Sequence, residues 1–202
     1  MSDLLIIGAA IVLKEKNGFL FELQKRAKWK HAPDGVLEAG MSCIGGTVEE
    51  GESLEDALQR EAMEEIGCSV AVDRSTHPFS IDPEGNASPL PPGSVPAGVQ
   101  FLWEGNDPGF VPGAKVAVYA GHAIGRAAPG DLSAIATLKP ELFYELARES
   151  FTVERLEAQG GILKERVRVP RSARVKPVGT AARLLELQRR NPEFFQRILG
   201  VS

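Results

Sequence analysis

The chain opens on two apolar runs, "LLIIGAAIVL" and "GFLFEL", with Asn17-Gly18 between them. Runs rich in Ile, Val, Leu and Phe around an Asn-Gly step predict a β-hairpin. A polar loop, "AKWKHAPDGVLEAG", leads to a short apolar piece, "MSCIGG". The next element is a helix from Leu54, with Ser53 as N-cap, Asp56 three residues on, and Gly67 at the C′ position. "CSVAVD" reads as a further strand. Residues 75–98 carry six prolines and no periodicity, which predicts a long surface loop or arm. "GVQFLWEG" and "AKVAVYAGHAIG" predict a second antiparallel pair. "KPELFYELARES" is helical, Pro140 being suited to a first turn. A basic extended piece, "KERVRVPRSARVK", follows, with Val167 and Val169 alternating as on an edge strand. The pattern closes on one helix, "GTAARLLELQRRNPEFFQRIL". Strands bracketing a helix, then more strands and more helices, predict α/β layers around a mixed sheet.

The helix from Leu54 has an unusual distribution of charge. At about 100° per residue, Leu54, Ala57 and Leu58 define a stripe facing the protein. Glu61, Glu64 and Glu65 continue that stripe, whereas Glu55, Asp56 and Gln59 take the outer side. A solvated acidic face would reverse this arrangement. Three inward carboxylates at i, i+3 and i+4 repel one another unless a cation joins them. Oxygen ligands with neither His nor Cys among them select Mg²⁺ or Mn²⁺ over zinc. Such an ion bridges protein carboxylates to substrate phosphate oxygens and polarises phosphorus–oxygen bonds. The residues therefore point to a divalent-metal phosphoanhydride site.

Composition changes this picture little. A chain of 202 residues, 43% of them hydrophobic, can bury one good core. The net charge of −4 is unevenly spread. Residues 1–100 hold 8 basic and 16 acidic side chains, and residues 101–202 hold 15 and 11. Phosphate or a partner is accordingly sought in the second half. Cys43 and Cys68 form neither a disulfide framework nor a zinc knuckle and read as buried thiols in a reducing compartment. The first apolar run is too short to span a bilayer and follows Asp3 rather than a basic segment. The expectation is a cytoplasmic protein without a membrane segment. His31, His77 and His122 are scattered and predict no metal site or triad.

The stretch from Gly46 onward has a recognisable spacing: five residues, Glu52, seven residues, Arg60-Glu61, two residues, Glu64-Glu65, one residue, Gly67. It closely resembles the signature of the Nudix hydrolases. Seven fixed residues at typical frequencies give a chance match of roughly one in 10⁸ per start position. Ala62 and Cys68 fill the signature's hydrophobic positions with smaller side chains than usual. The resemblance implies an α/β/α sandwich with a mixed sheet, spanning residues 1–138 and carrying a C-terminal helical extension, 139–202, packed on the same domain. It implies that Glu61, Glu64 and Glu65 ligate Mg²⁺ or Mn²⁺, together with the Gly45 carbonyl. Glu52 and Arg60 would pair to hold the loop on the helix, with Gly46 and Gly67 as structural glycines. The implied reaction is hydrolysis of a nucleoside diphosphate linked to another moiety.

Outside the signature the general base stays open. It is a signature glutamate or an acidic residue in the loop "GHAIGRAAPGDLSAI", where Asp131 is the candidate; Glu104, near a strand end, is an alternative. Arg26, after the second strand, is a candidate for meeting substrate phosphate. Trp29 is a candidate for stacking on a base or ribose, against a loop-anchoring role. A competing function is a ligand-sensing regulator, in which "ARESFTVERLEAQGGILKERVRV" forms a helix–turn–helix and wing on DNA. The signature is intact in every charged position, which favours the enzyme and argues against nucleic acid as a partner. Resemblance also allows a homodimer, with the Pro-rich stretch or the terminal helix as its surface. The extra upstream pattern of coenzyme A pyrophosphatases is missing, which leaves ADP-ribose, other nucleoside diphosphate sugars, dinucleoside polyphosphates and oxidised nucleotides open.

Overall fold

The structure, a computed structural model, describes residues 5–75, 77–105 and 111–199. Leu4, where the first apolar run begins, and Thr76 of the Pro-rich stretch lie outside the described residues. Strands β1 (Ile6–Glu15) and β2 (Gly18–Leu23) form the expected hairpin, with Lys16 and Asn17 as its two turn residues. The turn thus falls one residue before the Asn17-Gly18 step. Gly18 already belongs to β2, where a methyl group would overlap the Leu138 carbonyl. Both its positive φ of 145° beside the turn and the close approach of the neighbouring strand require this glycine.

A single 3-10 turn (Arg26–Lys28) leads to β3 (Lys30–His31), β4 (Leu37–Ser42) and β5 (Ile44–Thr47). Helix α1 (Leu54–Ile66) starts where its cap predicts: the Ser53 hydroxyl accepts from the Asp56 amide at 3.1 Å. It ends at Gly67, left-handed at φ 67°. Strand β6 (Ser69–Val72) follows. The Pro-rich stretch is not a bare arm. Within it β7 (Phe79–Ile81) and β8 (Ala87–Pro89) form a hairpin, and Phe79 and Ile81 are buried. Pro89 ends the outermost strand, where a missing N–H costs least.

Strands β9 (Val99–Glu104) and β10 (Lys115–Ile124) pair antiparallel, as their pattern predicts. The following loop gives way to a buried strand, β11 (Ala134–Leu138), and then α2 (Pro140–Glu145), β12 (Phe151–Thr152), α3 (Val153–Ala158), β13 (Ile162–Glu165) and β14 (Arg174–Pro177). The expected single terminal helix is two, α4 (Gly179–Arg190) and α5 (Pro192–Leu199). Pro192 lacks an N–H and drives Asn191 out of the helical region, to φ −137° and ψ 65°.

The strand order is β12-β14-β4-β2-β1-β10-β9-β7-β8, with β11 joining β2 to β13. The β1–β10, β4–β14 and β7–β9 pairs are parallel and the sheet is mixed. Strand β1 separates two cores by simple alternation. Ala9, Ile11 and Leu13 pack with Ala57, Leu58, Ala62 and Ile66 of α1. Ala10 and Val12 face the other way, into a core with Phe143, Leu184 and Phe195. Helices thus cover both faces of the sheet, and the fold is the α/β/α sandwich, with α4 and α5 as C-terminal helices.

Residues 139–199 are not purely helical. Strand β14 lies parallel to β4 and β13 runs antiparallel to β11, so this segment is woven into the sheet. Val167 and Val169 do not lie on an edge strand but in the irregular stretch between β13 and β14, where Val169 is buried. Helix α3 has only six residues and its following strand is paired along β11 rather than projecting as a wing. Among the described residues no helix is long and apolar enough to cross a membrane.

Candidate active site

The site forms where β5 and α1 meet β2. Strand β5 lies antiparallel to β1, placing Gly45 opposite Ala10 and Gly46 opposite Ala9. A methyl at Gly46 would overlap the Glu61 carboxylate, so the missing side chain is what lets Glu61 lie against the strand. Helix α1 then delivers its carboxylates in graded depth. Glu65 is buried, Glu61 is 15% exposed, and Glu64 is 51% exposed at the rim. The wheel makes all three inward; the packed helix turns Glu64 outward because the buried face centres on Ala62 and Ile66 as well as Leu58.

Arg60 ties these groups together. Its Nε and Nη2 donate to the two Glu52 oxygens at 2.9 and 3.1 Å, the fork geometry of a bidentate pair. Nη2 also donates to the Thr47 carbonyl at 2.9 Å, and Nη1 to Glu61 Oε1 at 2.8 Å. Glu52 Oε2 accepts the Glu49 amide at 3.0 Å. The turn between β5 and α1 is thereby fastened to the helix, and Glu61 is fixed from its neighbour. The Arg60 guanidinium holds Glu52 below the usual carboxylate range, and Glu52 and Glu61 raise Arg60 in turn.

Glu65 does not point at its helix neighbours. Its Oε2 accepts the Gly45 amide at 3.0 Å, and its carboxyl shares a hydrogen bond with Glu22 of β2. Glu22 is also buried, at 8% exposure. Burial, and then the Glu22 charge, push Glu65 up to about 9. Burial pushes Glu22 up to about 7, against the opposing pull of the shared hydrogen bond and of Lys28. Two carboxyls facing each other in a desolvated place cannot both ionise without a cation.

The loop after β10 closes the far side. The Asp131 amide donates to the Glu64 carbonyl at 2.9 Å and the Gly130 amide to the Glu65 carbonyl at 2.8 Å, which satisfies the last turn of α1. A methyl at Gly130 would overlap the Glu64 carbonyl. Asp131 forms an ion pair with Lys25, while its Oδ1 is buried without a hydrogen-bond partner among the described residues. Part of the basic C-terminal stretch holds this loop: Lys164 Nζ donates to the Ala127 carbonyl at 2.9 Å and Arg166 Nη1 to the Gly130 carbonyl at 2.6 Å.

Other expected residues fall elsewhere. Arg26 is exposed on the 3-10 turn, where its neighbours Ala27 and Lys28, and not Arg26 itself, line the adjoining cavity. The Trp29 indole donates to the Gln24 carbonyl at 2.8 Å and packs, half-buried, on the core, which anchors the loop. Glu104 is engaged by Lys115 across the β9–β10 pair at 2.7 Å. Cys43 and Cys68 are free and buried, and burial raises both thiols. Sequence reading missed Glu22. Its one signal is a lone acid inside an otherwise apolar strand, "GFLFEL".

The donors fit a hard divalent cation: all are oxygens, two carboxyls are buried against each other, and one Asp131 oxygen is orphaned. Among the described residues no three His, Cys, Asp or Glu side chains already form a closed metal cage. Glu65 is turned to the Gly45 amide and Glu61 to Arg60.

A family model described as the NUDIX domain matches residues 5–95. The chain contains a Nudix domain. Among solved structures, a nudix hydrolase family member from Chromobacterium violaceum is 20% identical, covering 69% of this chain and 65% of its own, at a TM-score of 0.37. The solution structure of the E. coli ORF135 protein is 17% identical, covering 72% and 81%, at 0.42. A NUDIX hydrolase from Nitrosomonas europaea is 13% identical, covering 66% and 57%, at 0.39. This chain spans under two thirds of the length of the first and third of these. No curated protein gives a significant match. Nudix domains are in general associated with hydrolysis of nucleoside-diphosphate-linked moieties.

Proposed function

We propose that the protein hydrolyses a pyrophosphate bond in a nucleoside diphosphate linked to another moiety, with Mg²⁺ or Mn²⁺. The observation that carries this reading is the buried Glu22–Glu65 pair beside Glu61, at the end of an intact signature helix. Two opposed buried carboxyls share a proton in the absence of metal, and a divalent cation would let both ionise.

Glu61, Glu64 and Glu65 would hold the ion, with the Gly45 carbonyl and Glu22 beside them. Bound there, the metal would supply charge neutralisation at the phosphate oxygens and a more acidic water. The chain's own groups do the positioning. Arg60 fixes Glu61 and fastens the loop through Glu52. The Gly45 amide holds Glu65 Oε2, leaving Oε1 as its other acceptor. Lys25 and the Glu64 carbonyl hold Asp131 at the site's edge, where its carboxylate is a proton acceptor or further ligand.

The test is a panel of ADP-ribose, other nucleoside diphosphate sugars, dinucleoside polyphosphates and oxidised nucleotides with each metal. Release of phosphate or a nucleoside monophosphate, lost in Glu65→Gln, is expected. No turnover of any member with either ion overturns the reading.

A further inference from the structure

Beside the carboxylate cluster lies a cavity of about 540 Å³, inside the usual size range of small-molecule sites. Gln24, Lys28, Lys30, Glu38, Gly40 and Lys176 line it. Its position follows from strand geometry. The Gln24 amide donates to the Gly40 carbonyl at 2.9 Å, extending β2 by one residue, so Gln24 shares the sheet face of Glu22. Gly40 in turn faces Lys176 in the parallel β4–β14 register. A methyl at Gly40 would overlap the Gln24 side chain, which therefore lies flat across the strand at the cavity's floor.

The lining chemistry is that of a phosphate receptor. Three ammonium groups meet one carboxylate, an excess of two positive charges. Glu38 does not cancel Lys176 alone. It pairs with Lys176 Nζ at 2.8 Å and accepts from Arg174 Nη1 at 3.3 Å, which orients the lysine while sharing the negative charge. Among the described residues no aromatic side chain lines the cavity. Within the lining itself a nucleobase would find no ring to stack on. Lysines are point charges suited to phosphate monoesters.

We propose that this cavity binds a phosphate group of the substrate other than the scissile pyrophosphate, and that Lys176, from outside the matched Nudix segment, helps to set that preference. The proposal rests on the reaction proposed above for its kinetic consequence, but not for binding. Two measurements separate them. In the first, tripolyphosphate binding is followed by calorimetry in EDTA, with Lys28→Gln, Lys30→Gln and Lys176→Gln. Each loss is expected to weaken binding about fivefold, the value of roughly 1 kcal/mol for an exposed charge pair. Lys176→Arg should restore most of it, which a merely structural lysine would not require. In the second, kcat/KM is compared within a pair of dinucleotides differing by one phosphate, NAD⁺ with NADP⁺. Wild type is expected to favour the phosphorylated member, and Lys176→Gln to lower that ratio about fivefold. Tripolyphosphate binding that is lysine-dependent without any turnover supports the cavity and counts against the hydrolase. Turnover with unchanged ratios, or tripolyphosphate binding indifferent to the three lysines, overturns the proposal.

Discussion

The buried pair of Glu22 and Glu65 should make the metal-free protein unstable in a way that one atom-for-atom exchange relieves. Glu65 is 8% exposed and its carboxyl is pushed up from 4.5 to about 9, by burial first and the Glu22 charge second. A raised carboxyl is favourable to the fold below its unfolded value and unfavourable above it, so stability is lost as pH rises from 4.5 through 9. At pH 7 the gap from 4.5 is 2.5 units, or about 3 kcal/mol, a large share of a stability of about 5–15 kcal/mol. Glu65→Gln keeps the shape and retains an oxygen for the Gly45 amide, but has nothing to ionise. For a chain of this size about 3 kcal/mol corresponds to a rise in Tm of roughly 6–12 °C. Thermal melts in EDTA at pH 5, 7 and 9 are the assay. Wild type should lose stability across the series, and the variant should melt higher at pH 7 and 9 with the gap nearly closed at pH 5. Saturating Mg²⁺ or Mn²⁺ should nearly close the gap at pH 7, adding about 3 kcal/mol to wild type at a hundred times Kd. A flat wild-type pH series, or a variant that melts lower than wild type in EDTA, would refute the reasoning.

Gly46→Ala places a methyl on the Glu61 carboxylate, the far end of a flexible side chain. Melting should therefore hardly change, while hydrolysis falls about a hundredfold through misplacement of one ligand; equal activity would show that Glu61 is not needed where it lies. Arg60→Gln breaks the hold on Glu52, Thr47 and Glu61 together and should cost activity about 10–100-fold, with weaker metal binding by calorimetry. Because Arg60 lowers Glu52, whatever stability this pair adds is present at neutral pH and lost as pH falls through the folded value, which an acid titration of wild type against the variant would read. Gly130→Ala meets backbone rather than a side chain, at the Glu64 carbonyl, and should destabilise by about 1–3 kcal/mol in chemical denaturation.

Much of the site was legible because its signals are local. The cap at Ser53, the stop at Gly67 and the spacing of Arg60, Glu61, Glu64 and Glu65 all lie within one helix and its ends. Strand β11 was hidden because the polar loop before it resembles its surroundings, and the β7–β8 hairpin because six prolines mask two short pairings. Asn191-Pro192 carried its own breaker, but strong apolar periodicity on both sides concealed it. Glu22 was passed over since a glutamate in a strand ordinarily faces water.

By itself the sequence determined the helix, its caps and the spacing of its carboxylates, because capping and periodicity are properties of neighbouring residues. Only the tertiary structure decided that Glu22 faces Glu65, that Asp131 comes to the end of α1, and that Lys176 shares a cavity with Lys28. Those meetings join residues 43, 67 and 148 positions apart, and they depend on strand register and on which face each strand buries, which no local pattern encodes.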